Sequence, residues 1–272
     1  MWRIPAQTGS ASGKDAGLIA PIDVDRLENW NDLDPGMREL GKIGGQYWFV
    51  PWDWGYDAPI VARDRVEEVP DSWRDFWNPQ YKGQISMIDY AENAVSIAAW
   101  AFGLDYPNLS DEDLAFVKEK LIELKENVKT FWQSSTDLVQ QMTTGEVAIG
   151  YGWPDQYAKV VDAGVDAVYV DPVEGRNGWI CGFVVLADTQ HYNLALEYID
   201  SAISADVGRR VINKYFLGHS NLEAIRTADQ EIVQQLQYDD TNIRERTHFA
   251  VPLTFTQRET FNRIWNEVLA TD

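Results

Sequence analysis

The sequence predicts an α/β fold divided into two lobes, and three observations lead to this prediction. Helix-like and strand-like segments alternate along the 272 residues, which is the α/β pattern. The predicted strands are widely spaced, and the long connections between them carry many of the 12 tryptophans. No single boundary separates two independent domains. We therefore expect the chain to cross between the lobes more than once, with mixed sheets flanked by helices.

In the first half of the chain, Gly44 and Gly45 predict a turn. A strand follows it, and we expect Pro51 to end that strand because proline lacks a backbone donor. A short helix over residues 72–77 has Ser72 as its N-cap. The other predicted elements of this half are strands over 58–62 and 84–88 and helices over 93–103 and 111–127.

The helix over 111–127 has the clearest signature in the chain. Ser110 is the N-cap and Asp113 is the third helical residue, which together form a variant of the capping box. An apolar stripe at helical spacing predicts which face of the helix is buried. That stripe consists of Leu114, Val117, Leu121 and Leu124.

The second half continues the alternation of short strands and helices. We predict strands over 147–151, 167–170 and 179–186. We predict helices over 135–144, 154–163, 193–203, 205–215, 229–237 and 258–270.

The composition excludes several classes of protein. Lys and Arg total 23 and Asp and Glu total 43, so the formal charge is 23 − 43 = −20. A strongly negative surface disfavours nucleic acid and favours a cationic partner. No apolar run reaches the roughly 18 residues of a membrane span. The single cysteine, Cys181, rules out an internal disulfide and says little about the redox compartment.

Two indoles flank a carboxylate immediately after Pro51. Trp52, Asp53 and Trp54 can form an aromatic and anionic wall for a cation, since indole faces attract ammonium groups. The same residues could instead serve only packing and a turn. Both interpretations stay open from the sequence.

Asp89, Tyr90 and Glu92 follow the predicted strand 84–88 and begin a helix. Acidic groups at a helix N-terminus stabilise the helix, which is one explanation for them. The other is that they face a cleft at the carboxyl ends of the strands, where α/β sheets usually bind ligands.

A similar arrangement of strand, aromatic residue, turn and helix recurs around Trp153 and Asp155. Glycine beside an aromatic residue lets another group approach the backbone, and Gly152 precedes Trp153. The segment that contains Trp132 is a weaker example of the same pattern. We include these three side chains, Trp132, Trp153 and Asp155, in the candidate site.

Trp179 and Cys181 lie on one face of a predicted strand because side chains alternate along a strand. Cys181 could be a small buried residue, or a nucleophile with His219 as its base. A glycoside hydrolase with an acidic, Trp-rich cleft is a further alternative. No zinc, P-loop or GxSxG motif occurs, and the three histidines are not spaced as a metal site. We expect no cofactor.

The order of these segments resembles the spermidine/putrescine-binding family of extracellular solute-binding proteins. Its most specific match is the stretch Ser72-Trp73-Arg74-Asp75-Phe76-Trp77-Asn78-Pro79-Gln80-Tyr81-Lys82-Gly83. Other matches are residues 16–23, 31–35, 50–55, 145–153, Trp179 and 221–222. The similarity covers nearly the whole chain.

The resemblance implies a two-lobed, type II periplasmic binding fold that closes around a small cation. On this basis lobe 1 comprises residues 1–57 and 178–225, and lobe 2 comprises 58–177 and 226–272. It also implies a periplasmic monomer that works with the membrane permease of an ABC importer and is not an enzyme. Trp54, Trp153 and Trp179 fall on or near the family's pocket positions, and residues 89–93 fall on its acidic pair.

This chain departs from the family pattern at the expected carboxylates. Cys181 stands where a carboxylate is expected, and the acidic pair falls on Tyr90 and Asn93. His219 stands near an expected tyrosine. A cation with two charged ends would lose anchors, since an unpaired buried ammonium is costly. We therefore expect a small cationic amine, and a mono-cationic or quaternary amine suits the aromatic residues better than spermidine or putrescine.

The family opens with a strand and a helix that we do not find at the start of this sequence. We also find no charged segment followed by an apolar one, so no signal peptide is predicted within the chain. The sequence therefore predicts a mature or truncated form of a periplasmic protein.

Overall fold

The computed structural model describes residues 2–5, 13–249 and 253–271. These residues form two compact units. Unit 1 comprises the described residues within 1–55 and 178–245, together with Phe249. Unit 2 comprises residues 56–177, 246–248 and 253–271. The chain thus passes from one unit to the other more than once.

The strands and helices are numbered in chain order. The strands are β1 (Trp2–Pro5), β2 (Ile19–Ala20), β3 (Lys42–Ile43), β4 (Gln46–Tyr47), β5 (Val50–Ala62), β6 (Ile85–Ile88), β7 (Val128–Trp132), β8 (Ile149–Gly152), β9 (Ala167–Tyr169), β10 (Asn177–Leu186), β11 (Gly218–His219) and β12 (His248–Phe249). The helices are α1 (Pro35–Glu39), α2 (Ala91–Ala101), α3 (Asp111–Asn127), α4 (Ser135–Thr144), α5 (Pro154–Asp162), α6 (Tyr192–Ala202), α7 (Ala205–Tyr215), α8 (Leu222–Thr227), α9 (Gln230–Gln235), α10 (Thr241–Arg246) and α11 (Phe255–Ala270). Short 3-10 turns occupy Val24–Arg26, Trp30–Asp32, Arg63–Arg65, Trp73–Trp77 and Pro79–Tyr81.

Strand β5 corrects the prediction that Pro51 ends a strand. The strand begins at Val50 and continues without a break to Ala62. Proline is tolerated there because it is the second residue of the strand. The carbonyl of Pro51 accepts a hydrogen bond from the Ser220 hydroxyl, with an O···O distance of 2.8 Å. The two strands predicted on either side of residues 52–57 are therefore parts of a longer one.

The division into units differs from the predicted lobes over residues 226–245. This segment was predicted in lobe 2, whereas in the structure it belongs to unit 1. Tyr238 explains the difference, because its ring lies edge-on to Trp54 with a centroid distance of 5.0 Å. Tyr238 and Val233 are fully buried. Residues 56 and 57, predicted in lobe 1, belong to unit 2.

Unit 1 is built on antiparallel strand pairs and one apolar core. Strand β10 pairs with β1 and β2, and β11 pairs with the first half of β5. Helix α6 packs one apolar face into the core of this unit, with Leu196, Ile199 and Ala202 buried. The core consists of Ile22, Val24, Leu27, Trp30, Leu33, Val50, Phe183, Val185, Leu196, Ile199, Ala202 and Ile203.

Unit 2 contains a mixed sheet whose register positions the candidate site. Strand β6 lies between β7 and β8 and is parallel to both. Strand β8 is antiparallel to the second half of β5, with Ala58 opposite Gly152. The carboxyl ends of β6, β7 and β8 therefore lie at one edge of the sheet, next to Asp57. We call this the carboxyl edge of unit 2.

Helices α2, α3 and α11 pack together in unit 2. Helix α3 begins at Asp111 as predicted, because Ser110 and Asp113 form the expected capping box. Of its predicted stripe, Val117, Leu121 and Leu124 are buried. Within the described part of the chain, we find no helix with the length and apolar character to cross a membrane.

Candidate functional site

Asp57 is the centre of a hydrogen-bonded cluster at the carboxyl edge of unit 2. Its side chain is almost completely buried, and among the described residues three side chains donate hydrogen bonds to its Oδ2 atom. The Asn93 and Asn177 amide nitrogens donate to it at 3.2 Å and 3.3 Å. The Tyr151 hydroxyl donates to it at 2.5 Å. Three neutral donors thus hold one buried carboxylate in a single orientation.

The two amides also donate to the Tyr151 hydroxyl oxygen, Asn177 at 2.8 Å. Burial raises the pKa of the Tyr151 phenol well above its usual value, and the charge of Asp57 raises it further. Tyr151 therefore keeps its proton and remains a donor to Asp57 at any physiological pH.

Asp89 lies where β6 ends, as predicted, and both of its oxygens accept hydrogen bonds. Trp265 of helix α11 donates to Oδ1 at 2.8 Å, and Gln133 donates to Oδ2 at 2.9 Å. The side chain is only half-buried. Asp89 is therefore a positioned surface carboxylate at the same edge as Asp57.

Tyr90 and Glu92 begin helix α2 and have different surroundings. Tyr90 is half exposed, so its ring can meet a ligand. Glu92 forms an ion pair with Arg258, with an N···O distance of 3.7 Å. Burial raises the pKa of Glu92, and the nearby guanidinium lowers it. Asn93, one residue further, points into the Asp57 cluster instead.

Trp132 and Trp153 meet at the carboxyl edge with their rings at 85° and a centroid distance of 5.1 Å. Trp132 is fully buried, and its indole N–H donates to the Tyr151 carbonyl at 3.0 Å. Trp153 is only half-buried and follows β8 directly. Trp132 thus supports the ring of Trp153 and the backbone of Tyr151.

Asp155 lies in the first turn of helix α5, near the same edge. Lys159 donates to its Oδ2 at 2.7 Å, and the Ser135 hydroxyl donates to the same atom at 3.3 Å. Lys159 lies one turn further along the helix than Asp155, and such a pair stabilises the first turn of a helix. In the contacts that the structure describes, Asp155 therefore stabilises the start of helix α5.

In unit 1, Trp54 and Asp53 are fully buried on β5. The Trp54 indole donates to the His219 carbonyl at 3.0 Å, and its ring contacts Tyr238. Trp52 is half-buried and lies against Phe183, with a centroid distance of 5.4 Å. The predicted wall of two indoles is therefore split, because only Trp52 keeps exposed surface.

Trp179 and Cys181 lie on the same side of β10, and both are half-buried. Gly55 makes room for the Trp179 ring. A Cβ atom on Gly55 would lie 2.6 Å from Cζ2 of that ring, which is far inside van der Waals contact.

His219 is fully buried in unit 1, and both of its ring nitrogens are engaged. Nδ1 accepts the Asn221 backbone N–H at 3.1 Å, so Nε2 carries the proton and donates to the Ala202 carbonyl at 3.2 Å. Burial lowers the pKa of His219 to about 4. A ring held in this way is not available as the base of a thiol nucleophile at Cys181.

Asp57, Tyr151 and Asn177 were not predicted as site residues, and Asn93 was noted only as a departure from the family. The sequence did point to Tyr151 and Asn93, since both lie in segments that were singled out as candidate parts of a ligand site. Asp57 and Asn177 carried no such signal, because only the register of β5 with β8 brings Asp57 to this edge. Among the described residues, no group of three or more potential metal ligands occurs.

The family model for bacterial extracellular solute-binding proteins matches residues 4–235. The chain belongs to this family. The spermidine/putrescine-binding periplasmic protein of Salmonella typhimurium is 27% identical over 217 residues, which is 79% of this chain. A putrescine/agmatine-binding protein of Pseudomonas aeruginosa is also 27% identical, over 76% of this chain. The chain covers 62% and 60% of these two relatives.

Solved structures confirm the predicted fold class, the two-lobed type II periplasmic binding protein fold. A spermidine/putrescine ABC transporter substrate-binding protein from Streptococcus pneumoniae superposes with a TM-score of 0.81 and 20% identity. The match covers 95% of this chain and 80% of that one. A periplasmic binding protein from A. tumefaciens in complex with glucopine superposes with a TM-score of 0.75 and 16% identity, over 98% of this chain and 82% of that one. Since proteins with different ligands share this fold, the ligand must be argued from side chains.

Proposed function

We propose that this chain is the ligand-binding part of a periplasmic solute-binding protein that delivers a small cationic amine to the permease of an ABC importer. The observation that carries the proposal is the carboxyl edge of unit 2. Strand register gathers the carboxylates of Asp57 and Asp89 there, beside the partly exposed rings of Tyr90 and Trp153. Carboxylates and aromatic faces are the two kinds of group that attract an organic cation.

The curated relatives and the net charge support the class of ligand. The two curated relatives described above are named for spermidine, putrescine or agmatine, all of which are cationic amines. The formal charge of −20 supports it too, because a negative protein raises the local concentration of a cation. Each aromatic face that meets the ligand contributes roughly 0.5–2 kcal/mol.

The enzyme alternatives lose their support in the structure. The thiol enzyme needs a base for Cys181, and both ring nitrogens of His219 are engaged. A glycoside hydrolase was suggested only by the acidic, Trp-rich composition of the expected cleft. The family to which the chain belongs is one of solute-binding proteins, which favours binding without turnover. We propose no cofactor and a monomer.

A thermal-shift screen tests the proposal. Putrescine, spermidine, glycine betaine, amino acids and sugars are titrated against the protein, and its unfolding temperature is measured. We expect at least one cationic amine to raise that temperature with concentration, since a ligand at about 100 times its Kd stabilises by about 2.7 kcal/mol. A response to sugars alone would contradict the proposal.

A pair of tryptophan variants then tests the position of the site. Trp153→Ala should weaken amine binding, whereas Trp100→Ala should not. Trp100 is a matched control because it belongs to the same unit and stacks on His248 near the far end of helix α2. That end lies about 13 Å along the helix from the carboxyl edge. Equal affinities of Trp153→Ala and the unchanged protein would remove Trp153 from the site.

A further inference from the structure

Glu92 and Arg258 form a partly buried ion pair beside the candidate site. Glu92 lies in the first turn of helix α2, two residues after Tyr90, at the carboxyl edge of unit 2. Arg258 lies near the start of helix α11, which packs against α2. The Arg258 Nε and Glu92 Oε1 atoms are 3.7 Å apart, and the two side chains are 32% and 24% exposed. At this exposure solvent screens the two charges only partly, so each of them acts on a third charge nearby.

Among the described residues, Glu92 is the carboxylate that pairs with Arg258, and the Arg258 Nη2 atom is buried without a hydrogen-bond partner. Two neighbouring phenols are affected by both charges. Burial raises the pKa of Tyr90 and of Tyr106, Glu92 raises both values further, and Arg258 lowers them. The charges of Glu92 and Arg258 therefore oppose each other at this end of helix α2.

Asp89, three residues before Glu92, is held differently. In the described contacts it accepts hydrogen bonds from Trp265 and Gln133, which carry no charge, so its own negative charge is not cancelled by them. Two other carboxylates that the sequence predicts for the ligand site, Glu92 and Asp155, are paired with cations. The carboxyl edge therefore offers a ligand less negative charge than its number of carboxylates predicts.

We propose that Arg258 is a specificity-determining residue that limits the ligand to one positive charge. By holding Glu92 as its counter-ion, Arg258 withdraws a carboxylate that could otherwise face a second ammonium group, and its own charge repels that group. This inference rests on the proposed function and narrows its ligand to monoamines. It departs from the family pattern, in which the positions of residues 89–93 supply an acidic pair.

Isothermal titration calorimetry with two probes tests the proposal. The probes are n-butylamine and putrescine, which have the same carbon chain and carry one and two ammonium groups. The titrations are done at about pH 8, far above the usual pKa of a carboxyl group, so that Glu92 is ionised. Arg258→Gln removes the cation and frees Glu92, which should raise the preference for putrescine over butylamine by about tenfold. Arg258→Lys keeps the charge and should keep the preference of the unchanged protein.

Arg263→Gln is the matched control variant. It removes an arginine from the same helix, but Arg263 is exposed and paired with Glu267. Its preference between the two probes should match that of the unchanged protein. In the double variant Glu92→Gln with Arg258→Gln, both charges of the pair are gone, so the gain should disappear. Arg258→Met, which keeps the apolar stem of the side chain, gives the same comparison if Arg258→Gln does not fold.

The outcomes separate this inference from the proposed function. An unaltered preference in Arg258→Gln, or a gain that persists in the double variant, would overturn the role of Arg258 and leave an amine-binding protein. Failure of the unchanged protein to bind any cationic amine would overturn both.

Discussion

His219 is a residue whose environment decides its chemistry. His219 was considered as a ligand contact, because it stands near an expected tyrosine, and as the base of a thiol nucleophile. The structure instead encloses its ring between the Asn221 N–H and the Ala202 carbonyl. Its close packing also explains Gly208, where a Cβ atom would lie 2.5 Å from the ring nitrogen Nδ1.

This environment predicts how stability depends on pH. Burial lowers the pKa of His219 from 6.5 to about 4 in the folded protein, so below pH 6.5 the unfolded chain binds the proton more readily. Stability from this residue is therefore present above pH 6.5 and is lost as the pH falls toward 4. At about pH 5 the loss is about 2 kcal/mol.

Urea unfolding followed by tryptophan fluorescence at about pH 7 and pH 5 measures this loss. His219→Gln should depend less on pH than the unchanged protein does. His191→Gln, which alters an exposed histidine, is the matched control and should keep the full dependence. The same pH dependence in all three proteins would contradict the assignment.

At the scale of elements, strand β5 runs from one unit into the other. Its first half carries Trp52 in unit 1, and its second half carries Asp57 in unit 2. The position of Asp57 depends on the register of β5 with β8, because a slip of one residue would turn the side chain to the opposite face.

Helix α11 contributes to the carboxyl edge through Trp265. Its indole N–H donates to Asp89, and its ring lies edge-on to Phe131. Trp265→Phe keeps an aromatic ring but removes the donor to a carboxylate, which should lower the free energy of unfolding of unit 2 by about 1.5–3 kcal/mol. Chemical denaturation monitored by circular dichroism measures the change.

Asp89→Asn serves as the partner variant for this prediction. In the double variant the loss should be smaller than the sum of the two single losses, because both changes act on one charge-assisted hydrogen bond: Trp265→Phe removes its donor and Asp89→Asn removes the charge of its acceptor. Additive losses would show that the Trp265–Asp89 bond contributes nothing of its own.

At the scale of the whole molecule, the formal charge of −20 predicts salt-dependent capture of a cationic ligand. Raising the salt from about 20 mM to about 200 mM shortens the screening length. The association rate of putrescine should fall severalfold, while its dissociation rate should change little. Stopped-flow tryptophan fluorescence measures both rates, and an association rate independent of salt would exclude electrostatic steering.

Much of the fold could be predicted from local patterns. Helix α3 and helix α4 match their predicted bounds because caps and glycine end signals are local. The error at Pro51 arose because a proline's effect depends on its place in the sheet, which is not local. The difference over residues 226–245 arose likewise, since Tyr238 contacts Trp54 across a long stretch of sequence.

The sequence by itself determined the family and the α/β class, and its net charge favoured a cationic partner, because motif order, periodicity and net charge are properties of the chain. Only the tertiary structure decided which acidic and aromatic side chains act together. It buried Trp54 and His219, paired Asp155 with Lys159, and gathered Asp57, Asn93, Tyr151 and Asn177. The physical reason is that burial and hydrogen-bond geometry depend on strand register and helix packing between residues far apart in sequence.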